Sequence, residues 1–362
     1  MELLVLALAA ALAFANGAND NSKGVATLVG HGAASARVAL LWAAATTALG
    51  AGIGLLASSG LVRVFRTAFV QVDGGPSLAF FAAGLAGALA WVLLATATGL
   101  PVSTTHALAG GLVGSGLVEV GAGGIGWAAL GEGVALPLAA SPFVALALVC
   151  LGAPPAKALV SRFGPRCVCA VAQLEPAAVG PHSAGTAARR LALVAGTQEA
   201  CRVHSPVAAA SGRGLLSGLH WTTSGLVGFA RGWNDAPKIA ALALPAGAAG
   251  GAAFALVAAA MAAGGLLAGR RVLRTLAHRI TELPLGESLA ASGVAAGLVA
   301  LASWRGLPVS TTHVTTGGIV GAGVARSARA VRWTVVRDIG LSWVVTLPAA
   351  AAVAALARGL LG

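Results

Sequence analysis

Long apolar runs separated by short basic stretches set the frame of this chain. Uncharged segments cover 38–62, 74–118, 133–156, 239–269, 288–304, 306–325 and 339–357. A helix needs about 20 apolar residues to cross about 30 Å of hydrocarbon, so each run predicts a membrane-spanning helix. Gly99-Leu100-Pro101 divides the 74–118 run in two, and Pro245-Ala246-Gly247 breaks the 239–269 run. Segments 3–33 and 214–244 each carry a polar cluster, which predicts discontinuous helices. The pattern describes an all-α polytopic membrane protein with about five crossings in each half and re-entrant-like loops at the STTH motifs, 103–106 and 310–313.

Composition agrees. Of 362 residues, 57% are hydrophobic and 9% are charged, against about 25% charged in an average soluble domain. So few charges cannot cover a water-exposed surface, and the bilayer becomes the first partner. The net charge of +12 does not indicate a nucleic-acid partner, because the Arg and Lys residues gather in stretches between apolar runs, as loops on one membrane face do. Cys167, Cys169 and Cys201 share a central polar stretch with His182 and His204. The absence of a CxxC pair and the irregular spacing argue against zinc there. Met1–Ala15 has the apolar core of a signal peptide, but Glu2 stands where a basic segment belongs. The motif that follows it recurs in mid-chain, so the segment is expected to remain in the mature protein.

That recurrence is a duplication. Residues 14–24, FANGANDNSKG, match 229–239, FARGWNDAPKI, and GLPVSTTH at 99–106 returns unchanged at 306–313. The chain therefore divides into a first membrane repeat, 1–155, a linker or small subdomain, 156–213, and a second repeat, 214–362. Basic residues orient these parts. The 156–213 stretch holds Lys157, Arg162, Arg166, Arg189, Arg190, Arg202 and Arg213 against Glu175 and Glu199. In the second half, Arg270, Arg271, Arg274 and Arg279 form one basic loop and Arg326, Arg329, Arg332 and Arg337 another, whereas the matching first-half loops are poor in charge. Placing the rich loops inside puts 156–213 in the cytoplasm and both termini outside. An odd number of crossings per half turns the second copy upside down, giving an inverted-topology repeat.

Ionisable groups at membrane depth are costly and therefore functional candidates. Asn19-Asp20 and Asn234-Asp235 occupy matching places, each followed by a lysine, Lys23 or Lys238. Beside them Gly17 and Gly232 would permit an unwound backbone, whose carbonyls with the Asn and Asp oxygens make a site for a hard cation such as sodium. The bland alternative is an Asp–Lys pair that neutralises itself. The two Ser-Thr-Thr runs, Ser103, Thr104, Thr105 and Ser310, Thr311, Thr312, each follow a Pro at the start of a Gly-rich helix. A helix N-terminus suits an oxyanion, and although one hydroxyl would suffice as a cap, each copy supplies three. His106 and His313 would relay protons or orient the loops, and the second fits better. Arg231 replaces Asn16 in the second copy and lies about 25 Å into the segment. Its partner is expected to be Asp235 or the transported oxyanion, unless it snorkels to the outer interface.

NGANDNSKG, RGWNDAPK and the twin PVSTTH loops resemble the inorganic phosphate transporter (PiT) family. The resemblance covers nearly the whole chain outside 156–213. It implies an inverted-repeat plasma (inner) membrane protein, often a homodimer, that couples inorganic phosphate uptake to sodium or protons as a symporter without any other cofactor. It also implies that Asn19, Asp20, Asn234 and Asp235 hold the cation and the Ser-Thr-Thr runs the phosphate. Arg231 and Trp233 depart from the family pattern and keep a sulfate or other oxyanion permease open as the alternative. A Ser–His–Asp hydrolase would show one asymmetric set of groups, and a passive channel would not need paired aspartates at membrane depth. Two equivalent sets suit a carrier, so no enzymatic activity is expected.

Overall fold

The structure is a computed structural model that describes residues 1–67, 70, 75–175, 188–203 and 206–362. The chain is a helical membrane protein. In the first half, α1 (Glu2–Gly30), α2 (Ala36–Ala57), α3 (Ser59–Thr67), α4 (Leu78–Thr98) and α5 (Thr104–Val120) lead to α6 (Trp127–Leu130), which continues through a π turn into α7 (Leu136–Phe163). Then come β1 (Arg166–Glu175), β2 (Ala188–Thr197), α8 (Gln198–Val203) and β3 (Ala208–Ser211). The second half runs α9 (Gly212–Ala243), α10 (Gly250–Ala268), α11 (Arg270–Arg274), α12 (Leu285–Trp304), α13 (Thr311–Val324) and α14 (Trp333–Leu360). Among the described residues, seven helices are long and apolar enough to cross a membrane.

One expectation is corrected. The polar segments are not discontinuous, since α1 and α9 run unbroken for 29 and 32 residues. Their buried polar side chains find partners on other elements, so the backbone need not unwind to satisfy them. Even Pro237, inside α9, leaves the carbonyl four residues earlier provided for: Ser58 Oγ donates to Trp233 O at 3.5 Å. Gly17 and Gly232 serve close packing instead. A Cβ on Gly17 would lie 1.9 Å from Met261 O on α10, and one on Gly232 would lie 2.0 Å from Thr47 O on α2.

In each half the expected segments appear as three long helices and one helical pair, α4–α5 or α12–α13, that turns at the re-entrant-like STTH loop. Ser77, which caps α4, donates from its N–H and Oγ to Glu119 near the end of α5, both at 2.9 Å. Glu282, just before α12, likewise pairs with Arg326 just past α13 at 3.0 Å. Each hairpin thus returns beside its own start. At 17 and 14 residues, α5 and α13 span about 25 and 21 Å. An apolar run looks alike whether it crosses or turns back, so hydropathy alone cannot separate the two. Three is odd, as five is, and the parity argument for inversion is unchanged.

The halves interlock. α1 packs on α10 and α2 on α9, while α5 packs on α14 and α13 on α7. Between them, β1 pairs antiparallel with both β2 and β3. This sheet is a small exception to the all-α reading. Cys167, Cys169 and Cys201 are free thiols that form its buried apolar core. Burial and the two neighbouring thiols push the Cys201 thiol up to about 12, so it packs as a neutral core group. His182 and His204 lie outside the described residues.

Candidate functional site

α1 and α9 cross where their polar clusters meet, and the tips of the two hairpins close over that point. Ser103 and Ser310 act as N-caps: their Oγ atoms accept from His106 N and His313 N, each at 3.2 Å. This fixes both Thr-Thr pairs in the first turns of α5 and α13, with Thr104, Thr105, Thr311 and Thr312 all buried. Capping thus uses one serine acceptor per copy and leaves its hydroxyl proton as a donor.

The tips are stitched crosswise. Thr312 Oγ1 donates to Val102 O at 2.6 Å and Thr105 Oγ1 to Val309 O at 3.4 Å. Lys23 Nζ donates to Val102 O at 3.0 Å and bonds Thr312 Oγ1 of the other hairpin. Lys238 Nζ mirrors it, with Val309 O at 3.0 Å and Thr105 Oγ1 at 2.8 Å. The imidazoles of His106 and His313 lie side by side behind the tips, with ring centroids 4.8 Å apart. His313 Nδ1 is 2.8 Å from Leu138 O.

The aspartates lie between these lysines. Asp20 pairs with Lys23, and Asp235 with Lys238 at 3.3 Å. Asn16 Nδ2 bridges the two carboxylates, at 3.1 Å from Asp20 Oδ2 and 3.4 Å from Asp235 Oδ2, and also donates to Thr104 Oγ1 at 2.9 Å. Asn19 and Asn234 face outward to the hairpin stems: Asn19 Nδ2 donates to Thr96 Oγ1 and Asn234 Nδ2 to Ser303 Oγ, both at 3.0 Å. The asparagines differ in their oxygens, for Asn19 Oδ1 accepts from Val102 N at 3.1 Å whereas Asn234 Oδ1 accepts from Lys238.

Arg231 is fully buried and does not snorkel. Its Nε lies 3.6 Å from Asp235 Oδ2, and its other nitrogens reach Asn16 Oδ1, Asn21 Oδ1 and, at 3.1 Å, Thr47 Oγ1. One buried cluster therefore holds three cations, Lys23, Arg231 and Lys238, against two carboxylates, Asp20 and Asp235. Burying an uncompensated charge costs several kcal/mol, so a cluster with one cation in excess is matched to an arriving anion. The threonine hydroxyls and tip amides supply the hydrogen-bond donors an oxyanion requires.

The aspartates, asparagines, Ser-Thr-Thr runs and Arg231 named as cation or oxyanion candidates fall in or beside this cluster. Sequence reasoning did not assign ligand roles to Lys23 and Lys238, since an i,i+3 Asp–Lys spacing reads equally well as self-neutralisation. It missed Asn16, Asn21, Thr47, Thr96 and Ser303. The matching of Thr96 to Ser303 at the same distance before the two STTH motifs was the available signal.

The chain has counterparts among known proteins. A sequence model described as the Phosphate transporter family matches residues 16–354. A Rhizobium meliloti protein named "Probable low-affinity inorganic phosphate transporter" is 30% identical over 363 residues, covering 97% of this chain and 94% of its own. The Arabidopsis thaliana protein "Inorganic phosphate transporter 2-1, chloroplastic" is 30% identical over 406 residues, covering 94% of this chain and 68% of its own. A solved structure titled "The sodium-dependent phosphate transporter" shares the fold with a TM-score of 0.76 at 24% identity, covering 99% of this chain and 98% of that one.

Proposed function

This chain belongs to the phosphate transporter family, whose members are carriers and not enzymes, and from that premise we propose that it is a symporter coupling inorganic phosphate uptake to a sodium or proton gradient. The observation that carries the reading is the buried cluster of three cations and two carboxylates under two crossed hydroxyl-rich tips. Phosphate is held by Arg231, by the hydroxyls of Ser103, Thr104, Thr105, Ser310, Thr311 and Thr312, and by Lys23 and Lys238. The coupling cation takes the oxygens of Asn19, Asp20, Asn234 and Asp235, a hard-oxygen set suited to sodium. A solved structure of the same fold is titled as sodium-dependent, which supports sodium ahead of the proton.

In this reading the halves 1–155 and 214–362 are inverted repeats, both termini lie outside, and 156–213 lies in the cytoplasm. The protein works in the plasma membrane as a homodimer. Uptake of labelled phosphate into proteoliposomes, with and without a sodium or proton gradient and against competing sulfate, tests the function. Gradient-independent uptake would remove the coupling, and preferred uptake of sulfate would replace the substrate. Labelling of residues 160–203 by an impermeant thiol reagent on intact cells would overturn the orientation.

A further inference from the structure

The two sides of the buried site differ. Lys23 borders a cavity of about 10 Å³, room for about one water molecule. Its lining includes Thr27, Ser292 and Thr315. Thr27, one helical turn beyond Lys23, continues the polar surface: its Oγ1 lies 3.4 Å from Ser224 Oγ and 3.0 Å from His220 Nε2. His220 is wholly buried, and its Nδ1 has no partner in the protein. Its ring centroid is 5.9 Å from that of His31, which is exposed and lines a second cavity, of about 470 Å³, together with Ser161, Ser217 and Arg213. A column of hydroxyls and imidazoles thus leads from Lys23 to a basic opening at the end of the molecule that carries the sheet.

The duplication supplies the control. Along the matched positions, Thr27, Ser224 and His220 correspond to Leu242, Ala9 and Val5, while Ser292 and Thr315 correspond to Leu85 and Leu108. All five of these counterparts are buried in the apolar core. Where the first side has a cavity, the second has leucines packed without polar groups. The hydroxyls of the column are bonded to one another or to helix carbonyls, but a buried imidazole nitrogen without a partner is costly unless something polar visits it; the leucine side carries no such cost.

We propose that this column is the route by which the transported oxyanion passes between the buried site and the sheet-bearing end, and that the leucine-filled counterpart is the closed side of the carrier. The route rests on the reading of the chain as a phosphate carrier. Reproducing the leucine side with Thr27→Leu and Ser292→Leu is expected to cut labelled phosphate uptake in proteoliposomes at least about tenfold while equilibrium phosphate binding stays within about twofold. Unchanged uptake would overturn the route.

Because that double variant can fail to fold, a second measurement does not depend on it. Ser224→Cys and Ala9→Cys are treated separately with a small water-soluble methanethiosulfonate, and peptide mass spectrometry separates the new thiol from the four natural ones. Ser224→Cys is expected to react at least about tenfold faster, and equal rates would overturn the route. Wild-type protein that neither binds nor carries phosphate would instead overturn the functional reading, and the labelling contrast would still decide whether the column is open to water.

Discussion

The two copies of the motif are alike at the aspartate and the lysine and different four residues before the aspartate, where the first half has Asn16 and the second has Arg231. In the fold these two unlike residues touch, with Arg231 donating to Asn16 Oδ1. Asp20 faces one lysine, whereas Asp235 faces a lysine and an arginine. The extra cation is tolerated because neutral acceptors converge on it from the other half and from α2: Asn16, Asn21 and Thr47. A duplicated sequence can therefore carry an extra charge in one copy without doubling it. A fourth cation at position 16 would have no carboxylate of its own.

The strongest way to break the comparison is to remove each carboxylate. Asp20→Asn and Asp235→Asn are both expected to abolish gradient-driven uptake while the protein still reaches the membrane. Leaving one member of a buried pair uncompensated costs about 3–5 kcal/mol. Asp235→Asn strands two cations and Asp20→Asn one, so its melting temperature in detergent should fall further. Equal losses would mean that Arg231 draws nothing from Asp235.

The next test exchanges the unlike residues. Arg231→Lys keeps the charge but loses the planar fork, and an increase of about tenfold in KM for phosphate is expected with little change in expression. The double exchange Asn16→Arg with Arg231→Asn should not restore uptake, because the place matching Asn21 is Ala236 and that matching Thr47 is Met261. Recovered uptake would show the two sites to be interchangeable. Unchanged KM in both Arg231→Lys and Arg231→Gln would remove the arginine from the binding site.

A smaller effect should come from the positions at which the halves agree. Thr105→Val and Thr312→Val each remove one crosswise hydroxyl to a lysine of the other half. A hydrogen bond to a charged group contributes about 1.5–3 kcal/mol, so each should raise KM for phosphate by a similar factor. A large difference between the two would confine the symmetry to the resting structure.

The smallest effect is at the hairpin ends, where one matched position carries opposite charges. Glu119 accepts from Arg358 Nε at 2.9 Å, while Arg326 pairs with Glu282 at 3.0 Å, and Glu282 is largely exposed. Glu119→Gln should lower the melting temperature slightly and Arg326→Gln not measurably, since exposed pairs contribute about 0–1 kcal/mol. A larger loss from Arg326→Gln would reverse the ranking.

Sequence alone established the membrane class and the duplication, because these follow from hydropathy and repetition. The parity from which an inverted arrangement is proposed is indifferent to whether three or five helices cross. What only the tertiary structure decided is where polar groups are satisfied. Gly17 and Gly232 read as freedom to unwind and proved to be contacts with Met261 and Thr47 on neighbouring helices. The 74–118 run read as two segments broken at Gly99-Leu100-Pro101, and the fold alone set the STTH turn of that pair against its counterpart from the other half. Lys23 and Lys238, for which pairing with their own aspartates is the bland alternative, keep those pairs and also reach across to the other half's threonine. Each of these outcomes depends on contacts between residues tens to hundreds of positions apart. Local sequence carries the donor or the small side chain, and only the packed fold supplies what it meets.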